Sequence, residues 1–526
     1  MRRGEIAHTV SRGAFYLTLE KAAALFSGVA YFALLLRWLG PTKYGIMTLA
    51  LSFAGLATMM NGNFEVFLER YAAEYQAHGR LRTLRRAQFH AMGLKLALGA
   101  VASLVLVLGA PFIAVQFHTP ELSYLLPMLS LMVLLEGFAS TGRATLYGLQ
   151  QFRWMSVVAL AFHIAKTIMV GLLWWLKQGL PALAIGLTTL AVLQGAVSAA
   201  IPMWMLRRAR DPEGAPPGLS GKPLTRAILG YCLPLLGARV TFLSGQNLGK
   251  IVLGKLFDTT LLGFFSFAYQ TVERFVEMIF AIPSSLLPSL THLVAREERD
   301  RLRFVFDQSL RIIQVVALVL SCGMAVFARE ITLVIGSPLF EPAIPMLRIM
   351  ALVPIARTAQ QPLTMLFQAL RLPGTVLVLA IIKFVTEFGC YFALVPTVGI
   401  AGAAWANLAG AIVSYIVAMI LLDQLVPEGR DGRTRTTWLG LACFAPFLLL
   451  GLMIGDHFGH LGSTLARLAL VPPTLALTLA VGLVRPADFE RLSSFPLEST
   501  WMRRTRDLVV AAAQRTANAL VPRRLL

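Results

Sequence analysis

The chain has 526 residues, 57% of them hydrophobic and only 14% charged, with a mean hydropathy of +0.69. So apolar a composition excludes a soluble globular domain. The net charge of +20 invites a nucleic-acid reading, which the placement of the bases sets aside below.

Crossing the hydrocarbon takes roughly 20 apolar residues in a helix. The chain offers about 14 such stretches, and their runs are too long and unalternating for a transmembrane β-barrel. In order they fall near 13–36, 44–68, 89–115, 122–147, 154–176, 181–205, 228–254, 260–283, 305–327, 345–370, 374–396, 399–422, 437–455 and 463–484. With the N-terminus inside, one side collects Arg2, Arg3 and Arg12, then Arg80, Arg82, Arg85 and Arg86, then Arg207, Arg208, Arg210 and Lys222. The same side receives Arg296, Arg299, Arg301 and Arg303 and, later, Arg430, Arg433 and Arg435; opposite loops hold only a few bases, such as Lys43, Lys177 and Arg329. This asymmetry follows the positive-inside rule and predicts both termini in the cytoplasm. Most of the charge therefore sets topology, and no nucleic-acid partner is expected.

The two halves repeat. Arg37-Trp-Leu-Gly-Pro-Thr-Lys-Tyr-Gly45-Ile-Met-Thr48-Leu-Ala50 aligns without a gap with Lys255-Leu-Phe-Asp-Thr-Thr-Leu-Leu-Gly263-Phe-Phe-Ser266-Phe-Ala268, at an offset of 218 residues. In nearly the same register Lys21 falls on Arg239, Lys166 on Lys383 and Gly186 on Gly402. The expected architecture is an all-α polytopic membrane protein of six, six and two spans. Its parts are a bundle at 1–206, a Pro/Gly-rich linker at 207–224, a second bundle at 225–424, two further spans at 425–484 and a basic tail at 485–526. Because six is even, both bundles enter the membrane in the same orientation, a parallel repeat.

Polar residues inside the spans fall on stripes. Arg239, Gln246 and Lys250 share one helical face in the seventh span, as do Glu136, Ser140, Arg143 and Tyr147 in the fourth. The tenth carries Arg357, Gln361, Thr364 and Gln368, and the eighth clusters Gln270, Glu273, Arg274 and Glu277. An ionisable group at membrane depth faces a wet cavity or a partner. Lys383 and Glu387 stand one turn apart and suit mutual neutralisation, and Glu136 and Arg143 suit pairing with neighbours. Bases outnumber acids near the span centres, so Lys21, Lys166, Arg239, Arg274, Arg357 and Lys383 are the candidate binders of an anionic substrate. Gln246, Lys250, Arg143 and Gln361 would line the lumen, and Glu136 and Glu273 are candidates for ion coupling. Asn61-Gly62-Asn63 interrupts the second span, and Pro283, Pro288, Pro354 and Pro362 predict kinks.

No phosphate-binding loop, zinc-protease motif or nucleophile elbow is present, so no catalytic residue, metal or cofactor is expected. Cys232, Cys322, Cys390 and Cys443 all lie in apolar spans and read as packing residues.

The stretch Leu39-Gly-Pro-Thr-Lys-Tyr-Gly45 followed by Leu68-Glu-Arg70-Tyr-Ala-Ala-Glu74 resembles the opening of bacterial oligosaccharide-unit flippases. These are the O-antigen, capsule and exopolysaccharide translocases of the multidrug/oligosaccharidyl-lipid/polysaccharide exporter superfamily. Leu253-Gly-Lys-Leu-Phe257 through Tyr269 looks like the start of that family's second half, and Val398-Gly-Ile-Ala-Gly402-Ala-Ala-Trp-Ala406 like its twelfth span. The resemblance implies a flippase, not an enzyme, for an undecaprenyl-pyrophosphate-linked glycan in the inner membrane. Membrane lipid, a polymerase and other polysaccharide assembly proteins are its implied partners. One departure is that Gly249, not an acid, precedes Lys250, and the Arg-Asp signature of lipid II flippases is absent from the first span. The rival readings are a multidrug or cation antiporter of the same superfamily, which needs an anionic pocket, and a membrane glycan polymerase or ligase, which needs a large outward loop.

Overall fold

The computed structural model describes residues 3–62, 64–77, 80–207, 247–280, 286–370, 372–425, 430–454 and 459–481, with isolated positions between 225 and 245. Helices follow one another as α1 (Arg3–Met59), α2 (Glu65–Ala77), α3 (Leu81–Gln116), α4 (Leu122–Gly148), α5 (Phe152–Trp175) and α6 (Leu180–Met205). After a helical stretch at 247–256 come α7 (Thr259–Phe280), α8 (Leu286–Ala295), α9 (Arg299–Val326), α10 (Ile344–Met350) and α11 (Val353–Ala369). The series ends with α12 (Pro373–Val398), α13 (Ala401–Leu425), α14 (Arg430–Met453), α15 (Gly459–Ala469) and α16 (Val471–Ala480). Among the described residues there is no strand. Seven of these helices are long and apolar enough to cross a membrane, and a helix pair bent by 43° before α11 makes an eighth.

The apolar surface says what surrounds them. On α3, Leu104, Val105, Leu108, Phe112 and Val115 are each more than half exposed, a contiguous face that a water-soluble protein would not leave uncovered. With every backbone group of a helix satisfied internally, such faces belong in lipid. The chain is a multi-pass, all-α membrane protein.

α1 holds the first two expected spans in one 57-residue element, broken where Gly40 adopts φ +65 just before Pro41. It stops at Met59, earlier than the expected end near 68, because Asn61 and Gly62 (φ +73) turn the chain. The Asn61 side chain donates to the Val133 carbonyl at 2.9 Å, and the remainder of the expected span becomes α2. The expected tenth span is likewise divided. Pro354 sits at the N-terminus of α11, where a missing N–H costs nothing, and only Pro362 lies inside that helix. Pro283 and Asn63 lie outside the described residues.

The chain divides into two compact units, 1–267 with 334–340, and 268–333 with 341–526. In the first unit α4 is the hub, packed by α1, α2, α3 and α6. Glycines let those helices close in: Gly142 meets the main chain of Ser198 on α6, Gly148 meets Ala72 on α2, and Gly137 lies on the side chain of Lys95. Without a hydrophobic drive between helices in lipid, such small-residue contacts are what hold them. In the second unit α13 packs on α10, α11 and α12, and α9 packs on α8, α11 and α14. Gly186 and Gly402, aligned by the repeat, do equivalent jobs: each seats its helix against the span before it, on Met169 and on the Leu394 carbonyl respectively.

Candidate functional site

Three of the four stripes read from the sequence, those of the fourth, eighth and tenth expected spans, lie on accessible helix faces. On α11, Thr358, Ala359, Pro362, Leu363, Leu366 and Phe367 are buried, whereas Arg357, Gln361 and Thr364 are half-buried and Gln368 is exposed. On α7, Thr271, Val272, Val276 and Ile279 are buried while Gln270, Glu273, Arg274 and Glu277 are not. The α4 stripe opens progressively, from half-buried Glu136 and Ser140 to exposed Arg143 and Tyr147.

In the second unit the stripes converge on two ion pairs. Arg357 Nη1 donates to Glu273 Oε1, and the Tyr269 hydroxyl hydrogen-bonds the same carboxylate. Lys383 Nζ donates to Glu387 Oε2 at 3.3 Å, and Asn407 Nδ2 donates to Glu387 Oε1 at 2.7 Å. The pairs lie within electrostatic reach of each other, Lys383 of Glu273 and Glu387 of Arg357. Gly410 on α13 permits this by lying against Glu387 Cβ and the Lys383 carbonyl. The four charges sum to zero.

The first unit holds a different knot. Lys95 on α3 is fully buried, with Nζ 2.7 Å from Glu65 Oε2 and 3.3 Å from Glu136 Oε2, and it donates to Ser140 Oγ at 2.7 Å. The ammonium thus ties α2, α3 and α4 together, and the carboxylates supply the compensation that a buried charge requires.

The remaining candidates scatter. Lys166 lies over the Tyr31 ring, 4.4 Å from its centroid, in cation–π contact. Arg274 turns to Glu277 on its own helix at 3.0 Å. Lys250 is buried, and exposed Arg143 borders a small pocket with Gln194 and Ser198. Lys21 lies within α1, where its side chain is not described, and Arg239 and Gln246 lie outside the described residues, as does the tail 485–526. No cluster of three or more metal-ligating side chains occurs among the described residues.

Sequence reasoning missed Lys95, Glu65, Asn407 and Tyr269. Lys95 stands in Gly93-Leu-Lys95-Leu-Ala-Leu98, as clear an embedded base as any, but the repeat places Ile313 opposite it, so a search for duplicated bases passes it over.

With this geometry in place, comparison with known proteins places the chain. A profile of the polysaccharide biosynthesis protein family matches residues 34–345, more than half of the chain. The chain belongs to that family. A search of curated proteins returned no match. Among solved structures, the chain is similar to an inward-facing multidrug resistance transporter of the MATE family, at TM-score 0.66 and 14% identity over 79% of this chain and 96% of that one. It is similar to the lipid II flippase MurJ in an inward closed conformation, at TM-score 0.64 and 12% identity over 89% of this chain and 97% of that one. Identity this low carries the fold alone, and the chain shares the fold of these two membrane proteins, the first of which is described as a member of the MOP superfamily. The chain thus joins membership of a polysaccharide biosynthesis family to the membrane fold that these two neighbours share.

Proposed function

We propose that the protein carries polyprenyl-pyrophosphate-linked oligosaccharide units across the cytoplasmic membrane for surface polysaccharide synthesis, by alternating access between two six-span bundles. The observation that carries the reading is the family match over residues 34–345, and the likeness to a lipid II flippase supports a lipid-linked cargo. In this reading the bundles are 1–206 and 225–424, both termini are cytoplasmic, and the polyprenyl chain stays in lipid while the headgroup crosses. Lys383 and Arg357, with Lys21, Lys166, Arg239 and Arg274, receive the pyrophosphate or acidic sugars. Gln246, Lys250, Arg143 and Gln361 hydrogen-bond the glycan.

Deletion of the gene should abolish surface glycan, and the wild-type chain should restore it. The double variant Arg357→Gln/Lys383→Gln, inserted at wild-type level, should fail to restore it. Full export by that variant overturns the assignment of these bases, and full export by the deletion strain overturns the reading itself. The likeness to a multidrug transporter favours a drug antiporter on fold grounds. Raised drug tolerance of a sensitive strain, with glycan unaffected, would establish that function instead.

A further inference from the structure

The balance of charge in the second unit limits how an anion can bind there. Among the described residues, Glu273 is faced by Tyr269 on its own helix, Arg357 on α11 and Lys383 on α12, with Glu387 and Tyr391 of α12 beyond them, while Arg274 and Glu277 farther along its helix pair with each other. The two carboxylates differ. Both oxygens of Glu387 already accept donors, from Asn407 and from Lys383, and its side chain is 3% exposed. Glu273 is 14% exposed, stands on the accessible face of α7, and holds Arg357 through Oε1. An anion that takes Nη1 of Arg357 competes for it with Glu273 Oε1, the acceptor that Nη1 has in the structure. That exchange leaves a carboxylate beside the incoming anion in a medium that stabilises neither, because a broken buried pair leaves one charge uncompensated.

We propose that Glu273 is a proton site coupled to anion binding: Arg357 binds a phosphate-type anion, and Glu273 takes up one proton as it releases the guanidinium. The step forms one O–H bond on the carboxyl and breaks one in hydronium, leaving water; nothing is oxidised or reduced. The charge of the site is then unchanged for a monoanion, and Lys383 remains neutralised by Glu387. The proposal rests on the reading of the chain as a carrier of pyrophosphate-linked cargo, and it makes the loaded carrier the protonated one. By linkage, protonation and anion binding favour each other equally.

The test is isothermal titration calorimetry of the full-length chain in lipid nanodiscs with sulfate, a phosphate-shaped anion that does not itself titrate near neutral pH. For the wild-type chain, sulfate affinity should fall about tenfold per pH unit above neutrality. Heats in buffers of different ionisation enthalpy should report uptake of about one proton per sulfate. Glu273→Gln should bind sulfate with no pH slope and no buffer dependence, and Arg357→Gln should not bind. Wild-type affinity that is flat with pH, or a Glu273→Gln protein that keeps the wild-type slope, overturns the proposal. So does the absence of saturable binding to the wild-type chain, which needs no variant to fold. Glycan export is scored separately in cells, so a failed anion site and a failed flippase assignment give different results.

Discussion

Lys95 shows what an embedded base does when carboxylates are in reach: it holds three helices together. Replacing it with Met leaves Glu65 and Glu136 without their shared counter-charge, a change that costs about 3–5 kcal/mol when a buried pair is broken. Thermal unfolding in detergent should show Lys95→Met as strongly destabilised, and adding Glu136→Gln should recover part of the loss; an unchanged midpoint contradicts the role. The same physics explains which residue roles were legible. A base within an apolar run announces itself, because its desolvation demands a partner, and the i, i+4 spacing of Lys383 and Glu387 announces the partner too. Glu273 with Arg357 and Glu65 with Lys95 join side chains from different helices. No spacing along one chain reports which stripes will face each other, so these pairs required the fold.

Helix identity was the most readable level, since apolar runs of spanning length have no other stable arrangement in lipid. Helix ends were less so. α3, α4 and α5 finish in left-handed residues that are not glycine, His118, Gln150 and Lys177, and each chain turn is closed by a pair of backward hydrogen bonds such as Gln151 N–H to the Leu146 carbonyl at 2.9 Å. Without the usual glycine, nothing in the sequence marks these stops. The glycines that do matter lie mid-helix at crossings. Gly142→Leu drives a side chain into the Ser198 main chain and should abolish a monodisperse peak in size-exclusion chromatography. Gly171, with open space around its Cα, supplies the contrast. Gly171→Ala should be tolerated and raise stability by about 0.5–1 kcal/mol through helix propensity. Equal behaviour of the two variants would contradict the packing described for α4 and α6.

At the scale of the molecule, the segment that revealed the repeat is also where its copies meet. Thr42 and Thr260, 218 residues apart, share a hydrogen bond of 2.9 Å between their hydroxyls. Around them Gly45 lies against the Thr259 carbonyl and Gly263 against the Pro41 carbonyl, a reciprocal contact of the kind a two-fold relation produces. The flanking bases repeat the symmetry: Arg37 donates to the Val334 carbonyl at 2.6 Å, and Lys255 donates to the carbonyl of Gln116, the residue at Val334's place in the repeat. The glycines of the motif are thus explained by close main-chain approach, which the alignment alone could not tell from a loop signal. In the alternating-access cycle proposed above, this two-fold contact parts when the other side of the membrane closes. The most direct measurement uses purified Thr42→Cys/Thr260→Cys protein in proteoliposomes, following transfer of a polyprenyl-pyrophosphate-linked oligosaccharide between leaflets. The reduced protein should translocate the oligosaccharide, oxidation to the disulfide should arrest it, and reductant should restore it. Translocation that continues unchanged in the cross-linked protein, or that never occurs in the reduced one, would contradict that cycle.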